Sequence, residues 1–256
     1  MSAFTKLHKA TEMFGFDPVR TIRAARRIPY FVRTLKTYQE CAQKTKFPLS
    51  IRSLFPILED MGQNAGSLTF HYFHQDLWAA SKIFERRPER HVDIGSRIDG
   101  FIAHLLVFMP VESVDIRPLD RKIPGLTFIQ NDATDLKQFI DESVVSLSSL
   151  HAVEHFGLGR YGDPIDADAP FKAMREFMRI LKKDGRLYFS VPIGNERVEF
   201  NAHRIFAPAT VVETFRDLDL LSFAAVDDAG NFFPQAELSA FGNATCACGL
   251  FEFTKG

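Results

Sequence analysis

Cysteine is scarce in this chain. Cys41, Cys246 and Cys248 are the full set of three in 256 residues, an odd number with no paired framework, so a disulfide-built secreted scaffold is excluded and a reducing cytoplasm is the expected setting. Long apolar runs are also missing. The longest, Phe101 to Val111, is interrupted by His104 and falls far short of the roughly 20 residues that cross a bilayer. The N-terminus has no apolar stretch ending in a small-residue cleavage site, so no secretory leader is expected. Neither sign of charge dominates: 31 basic and 32 acidic side chains leave a net charge of −1. Nothing global therefore draws the chain to nucleic acid. Internal repeats and low-complexity segments are absent.

What is present is core-forming material. Residues of the apolar classes make up 46% of the chain, enough to fill one good-sized domain with an extension. Two regions differ in pattern. Residues 1–88 carry helical spacing, as in "RTIRAARRIPYFVRTLKTYQECAQ", where Ile22, Ile28, Phe31, Val32 and Leu35 alternate with a run of arginines. This predicts a helical extension broken into two pieces at Pro29. Its basic face is either a solvated surface or a contact for anionic lipid or another polyanion.

From residue 89 onward, strands alternate with helices, the pattern of a mostly parallel sheet covered on both faces. Seven strands are predicted, at "HVDI", "ESVDI", "LTFIQ", "VVSLS", "GRLYFSVP", "LLSFAAV" and "CGLFEFTK". Helices are predicted at "FIAHLLVF", "TDLKQFID", "APFKAMREFMRILKK" and "PATVVETFRDL", the third ending with Lys182 and Lys183 in its last turn and Gly185 beyond it.

The turn "HVDIGSRIDGF" narrows the ligand. Gly95 and Gly100 have the spacing of a phosphate loop, but Phe101 and Ile102 stand where Lys and Ser or Thr would be needed. A dinucleotide fingerprint needs a middle glycine, and Arg97 occupies that place. There remain a first glycine for the tight turn, a last glycine for packing, and Asp115 at the end of the second strand, an acid able to accept hydrogen bonds from ribose hydroxyls. A ligand with a ribose and no phosphates fits.

These residues resemble the class I S-adenosylmethionine-dependent methyltransferases. "VDIGSRIDG" is similar to that family's glycine-containing first motif, "ESVDIRP" to its second-strand motif, "FIQNDATDL" to the segment whose acid approaches adenine, "VVSLSSLHAVEHFG" to its fourth strand and following loop, and "REFMRILKKDGRLYFSVPIG" to its long helix, turn and fifth strand. "HYFHQDLWAASKIF" followed by "HVDIGSRIDG" also resembles a bacterial branch catalogued as a domain of unknown function and associated with surface polysaccharide genes. The resemblance implies a seven-stranded, Rossmann-like α/β methyltransferase domain over residues 89–256.

The implied cofactor is S-adenosylmethionine, bound by Asp93, Gly95, Ser96, Asp115, Ile116, Asp132, Ala133 and Ser149. Gly95 would let the backbone pass under the aminoacyl group, Asp93 would orient its ammonium, Asp115 would take the ribose diol, and Asp132 with Ala133 would take adenine. The alternative for each acid is a loop carboxylate that caps the next helix. His151 is the first candidate base, with Glu154 three residues on to orient it; His203 is the second. His155, Asn201 and Arg204 are candidate acceptor contacts, and "FGLGRYGDPIDADAP" is suited to line or cover a site. Tyr72 and Trp78 are aromatics that could approach the sulfonium, with core packing as the alternative for Trp78. "CAC" has no matched ligands nearby in sequence, so no metal site is expected.

The expected reaction is O-methylation of a sugar or another small or glycan-linked acceptor. Two alternatives stand beside it: a catalytically inert methyltransferase-fold interaction protein, for which Arg97 in a glycine position is the sign, and a sugar-nucleotide oxidoreductase, which the missing middle glycine disfavours.

Overall fold

A computed structural model describes residues 11, 14–41, 49–58 and 70–256. The described residues fall into two compact units, one ending by residue 58 and one starting at residue 70. In the first, α1 (Pro18–Cys41) runs as one helix with Pro29 inside it, so the expected break does not occur. Arg27 Nη1 of α1 donates to the Leu58 carbonyl at 2.9 Å. No helix among the described residues is long and apolar enough to cross a membrane.

The second unit starts with α2 (Phe70–Arg86), a segment inside the expected extension of residues 1–88 that clusters with the sheet domain. Its central sheet has eight strands in the order β3-β2-β1-β4-β5-β10-β8-β9: β1 (His91–Ile94), β2 (Val111–Asp115), β3 (Leu126–Gln130), β4 (Val144–Leu150), β5 (Leu181–Ile193), β8 (Asp219–Val226), β9 (Phe232–Phe233) and β10 (Ala247–Thr254). All seven expected strands are there. The eighth is β9, two residues on the edge beside β8, too short to show a periodicity. A hairpin, β6 (Arg197–Glu199) and β7 (His203–Ile205), stands apart. Strands β1 to β5 are parallel, and β10 lies antiparallel between β5 and β8.

Alternation along the strands sorts the core onto two faces. On one, Leu187, Phe189, Val191 and Ile193 of β5 pack with Phe251 and Phe253 of β10 against α4 (Ala169–Ile180) and α5 (Pro208–Thr214), through Phe177, Met174 and Val211. On the other, Tyr188, Leu250 and Cys248 meet Trp78 and Ile83 of α2, and Phe101 and Leu105 from the turn Ile98–Ile102 and helix α3 (Ala103–Leu106). Trp78 is thus a core residue, edge-on to Tyr188.

Two helix expectations are corrected. "TDLKQFID" forms turns, not a helix, with Leu136 and Phe139 buried in the core and the Leu136 amide donating to Glu176 of α4. The long helix stops at Ile180, not after Lys183. Leu181 already pairs with Val144, the register then jumps so that Ser146 faces Arg186, and Lys182–Gly185 bulge outward with Asp184 in the left-handed region at φ +60°.

Candidate active site

Strand β1 pairs with β2 on one side and β4 on the other. Chain order reverses there, and in open α/β sheets the crevice beyond the carboxyl ends of such strands is where ligands bind. A cavity of about 370 Å³ lies at this place, within the size range of small-molecule sites.

Its floor is the turn after β1. Gly95 has φ +75°, and its amide donates to the Val114 carbonyl at 2.8 Å. A Cβ here would come within 2.9 Å of the Ala152 side chain, so the turn is packed tightly against the loop after β4. Asp115, Ile116, Asp132 and Ala133 line the cavity with Gly95. Asp93, Ser96 and Ser149 do not. Asp93 is fully buried and accepts from the Ser96 amide (3.1 Å), the Ser96 hydroxyl (2.6 Å) and the Ser148 hydroxyl (2.5 Å); Ser149 donates to the Ile94 carbonyl. These three brace the floor from behind.

Burial raises the Asp93 carboxyl to about 7 despite the hydrogen bonds that favour its ionised form. Beside it, His91 Nε2 lies 2.9 Å from Ser148 Oγ and Nδ1 lies 2.8 Å from Ser146 Oγ. Since Ser148 donates to Asp93, its oxygen accepts from His91 Nε2–H. Burial lowers His91 to about 3, so the ring is neutral.

The wall carries a feature that sequence reasoning missed. Arg117, two residues past the β2 acid, also lines the cavity. Its Nε and Nη2 donate to Asp115 Oδ1 (3.0 Å) and Oδ2 (2.6 Å), its amide donates to Oδ1 (2.8 Å), and its guanidinium lies 4.5 Å from the Tyr161 ring centre. Asp132 Oδ1 accepts from the Thr134 amide and hydroxyl, both at 2.8 Å, which leaves Oδ2 for a ligand. The loop after β4 lines the cavity: Phe156, Gly157, Tyr161, Asp163 and Asp166 all contribute. Asp163 holds this loop by accepting from the Gly159 and Tyr161 amides.

The proposed catalytic residues divide. His151 and His155 line the cavity, whereas Glu154, His203, Asn201 and Arg204 do not. His151 sits at φ +47°, unusual for a residue with a side chain and a mark of local strain. Its amide donates to the Ser190 carbonyl and hydroxyl, and its Nδ1 donates to the buried Glu154 Oε1 at 2.8 Å, so the expected pairing is present. Nε2, the nitrogen that a base would use, is buried and so does not open on the cavity. Burial disfavours charge on His151, but the neighbouring Cys248 and Glu154 outweigh it and raise its pKa well above the ordinary value; Glu154, raised by burial alone, is lowered by His151. His155 is lowered, chiefly by burial, and its Nδ1 meets the Ala202 carbonyl at 2.7 Å.

Arg204 donates to the carbonyls of Phe156 (2.6 Å) and Glu154 (3.5 Å), so it clamps the loop from outside. Asn201 is exposed, and His203 pairs with Glu199 at 3.7 Å. The β6–β7 hairpin docks against the 153–157 loop in place of forming the cavity wall. On the opposite side, Tyr72 lines the cavity with one face covered by Arg97 at 4.8 Å and its ring 5.3 Å from that of His151.

A family model described as "Caenorhabditis protein of unknown function, DUF268" matches residues 124–232. The match spans β3 to β9 and leaves out Gly95 and Asp115; its description names Caenorhabditis, which does not bear out the expected bacterial branch. No curated protein matches in sequence. Among solved structures, the chain is similar to the [4+2]-cyclase SpnF, with 15% identity and a TM-score of 0.52 over 75% of this chain and 84% of that one. It is similar to YcgJ from Bacillus subtilis, with 14% identity and a TM-score of 0.50 over 72% and 99%. A third, the 1,6-didemethyltoxoflavin-N1-methyltransferase of Burkholderia thailandensis with bound S-adenosylhomocysteine, has 16% identity and a TM-score of 0.49 over 71% and 78%. The first two likenesses establish the fold, that of a Rossmann-like α/β domain, as the sequence led us to expect.

Proposed function

We propose that this chain is an S-adenosylmethionine-dependent methyltransferase, with the cofactor held in the cavity at the carboxyl ends of β1 to β4. The observation that carries this reading is the Gly95 turn under the cavity with Asp115 at the tip of the neighbouring strand. A backbone without Cβ gives room for the aminoacyl part, a carboxylate suits a ribose diol, and Asp132 Oδ2 with the adjoining turn suits adenine. The resemblance of five motifs in order supports the same assignment.

When bound, the cofactor would supply a methyl group made electrophilic by the sulfonium. The chain's own task is then to align the acceptor and exclude water. Gly95 sets the depth of the cofactor, the 156–166 loop covers it, and His155 is the cavity-lining imidazole best placed to contact an acceptor. We further propose an oxygen nucleophile on a sugar or glycan-linked acceptor. Tyr72 and Tyr161 with Arg97 and Arg117 line the cavity with flat faces and hydrogen-bond donors, which suit a polyhydroxyl ligand.

One observation favours a second reading, a methyltransferase-fold protein that does not bind the cofactor: Arg117 already holds both oxygens of Asp115. Calorimetric titration with S-adenosylhomocysteine separates the two. Binding by the wild type that Asp115→Ala loses supports the cofactor assignment and calls for an acceptor screen with labelled methyl donor. A folded wild type that binds nothing supports the second reading.

A further inference from the structure

The carboxyl edge of the sheet brings together three side chains that lie far apart in sequence. His71 is in the first turn of α2, His151 follows β4, and Cys248 is near the start of β10; a ligating atom of each lies within 4.8 Å of the other two. The two imidazoles stack with centres 5.4 Å apart and planes 17° from parallel. Cys248 is buried; its thiol makes a long 3.9 Å contact with the Gly249 carbonyl and lies beside His151, whose pKa it raises. Cys246, the other half of "CAC", precedes the strand and is not in the cluster.

A second observation points to a ligand. The His151 side chain is only 6% exposed, yet its Nε2 has no hydrogen-bond partner among the described residues. Buried polar atoms almost always have one. Its other nitrogen donates to the buried Glu154 carboxylate at 2.8 Å, and a carboxylate on the far nitrogen is how metal-ligating histidines are oriented.

We propose that His71, His151 and Cys248 form a binding site for a zinc-type divalent ion, with Glu154 as the outer carboxylate that fixes the His151 ring. Two imidazoles and a thiolate are a donor set that zinc accepts, and three protein ligands leave the fourth tetrahedral position for water or a ligand. Zinc bonds of about 2.0–2.3 Å put tetrahedral donors roughly 3.3–3.8 Å apart, so the cluster closes on an ion by side-chain rotations of about 1 Å. Binding releases to solvent any proton on the Cys248 thiol and on the His151 nitrogen that ligates. The ion would sit behind the cavity wall, on the side of the His151 ring that faces Cys248. The site stands independently of the cofactor assignment.

The test uses the full chain, stripped with a chelator and titrated with Co²⁺ alone, then with Zn²⁺. The expected result is one Co²⁺ per chain, a thiolate-to-cobalt charge-transfer absorption, and loss of that band as Zn²⁺ displaces the cobalt. Cys248→Ser should abolish the band, Cys246→Ser should leave it intact, and His71→Gln, at a half-buried position at the start of a helix, should weaken binding by about tenfold or more. A folded wild type without the band overturns the proposal, as does a band that survives Cys248→Ser or an affinity unchanged in His71→Gln.

Discussion

Replacing Gly95 with alanine tests the floor of the cavity directly. An L-residue in the left-handed region is strained by about 1–2 kcal/mol, and the more restricted unfolded chain offsets about 0.4–1 kcal/mol of that. The new methyl would lie 2.9 Å from Ala152 Cβ, well inside the roughly 3.5–4.0 Å at which carbon atoms rest; such overpacking costs about 1–3 kcal/mol. The sum is a destabilisation of roughly 1–5 kcal/mol, and 2 kcal/mol corresponds to a fall of about 4–8 °C in Tm for a unit of this size. Gly162→Ala is the internal control. Gly162 has φ +84° but nothing within 4 Å of its Cβ position, so this variant carries the backbone strain without the contact. Urea unfolding should show Gly95→Ala to be the less stable of the two by about 1 kcal/mol or more. Titration with S-adenosylhomocysteine should show affinity reduced about tenfold or more in Gly95→Ala and unchanged in Gly162→Ala. Equal stabilities with equal affinities would refute the reading of Gly95 as the element that sets the depth of the site.

Other outcomes follow from the same structure. Folded Asp93 keeps its proton up to about pH 7, whereas the unfolded side chain releases it near 3.8. Folding therefore takes up a proton in that window, and the stability of the wild type relative to Asp93→Asn should fall as pH rises from about 4 to 7, by at most about 1.4 kcal/mol per pH unit; parallel urea-stability profiles would count against it. His91 acts in the opposite sense, losing stability as pH falls from 6.5 toward about 3, and is common to both proteins, so it cancels in the difference. Arg204→Ala removes the donor from the Phe156 carbonyl and should cost about 1–3 kcal/mol, with faster hydrogen exchange in the 153–157 loop as the specific readout. If a ribose must displace Arg117 from Asp115, Arg117→Ala should tighten S-adenosylhomocysteine by about two- to fivefold, the worth of a partly exposed ion pair; weaker binding would show that Arg117 holds the ligand instead.

Local signals made most of the architecture legible. Apolar alternation marked every long strand, because a residue two positions on returns to the same face of a sheet whatever lies elsewhere. The Gly95 turn, Asp115 and Asp132 were legible for a related reason, since each is a neighbour of a strand end and the sheet carries strand ends to one edge. Where local and tertiary demands conflict, the tertiary demand wins: "TDLKQFID" stays in turns because Leu136 and Phe139 reach the core that way, and α4 stops at Ile180 because Leu181 is needed opposite Val144. Side-chain direction was beyond the sequence. His151 and Glu154 pair as their spacing indicated, but only the fold decides that the free nitrogen of His151 turns away from the cavity toward Cys248, that Arg204 clamps a loop, and that Arg117 takes Asp115. The His71, His151 and Cys248 cluster has no sequence pattern at all. It exists because an antiparallel strand inserted between β5 and β8 starts at the edge where the parallel strands end, and a helix from before β1 crosses the same face.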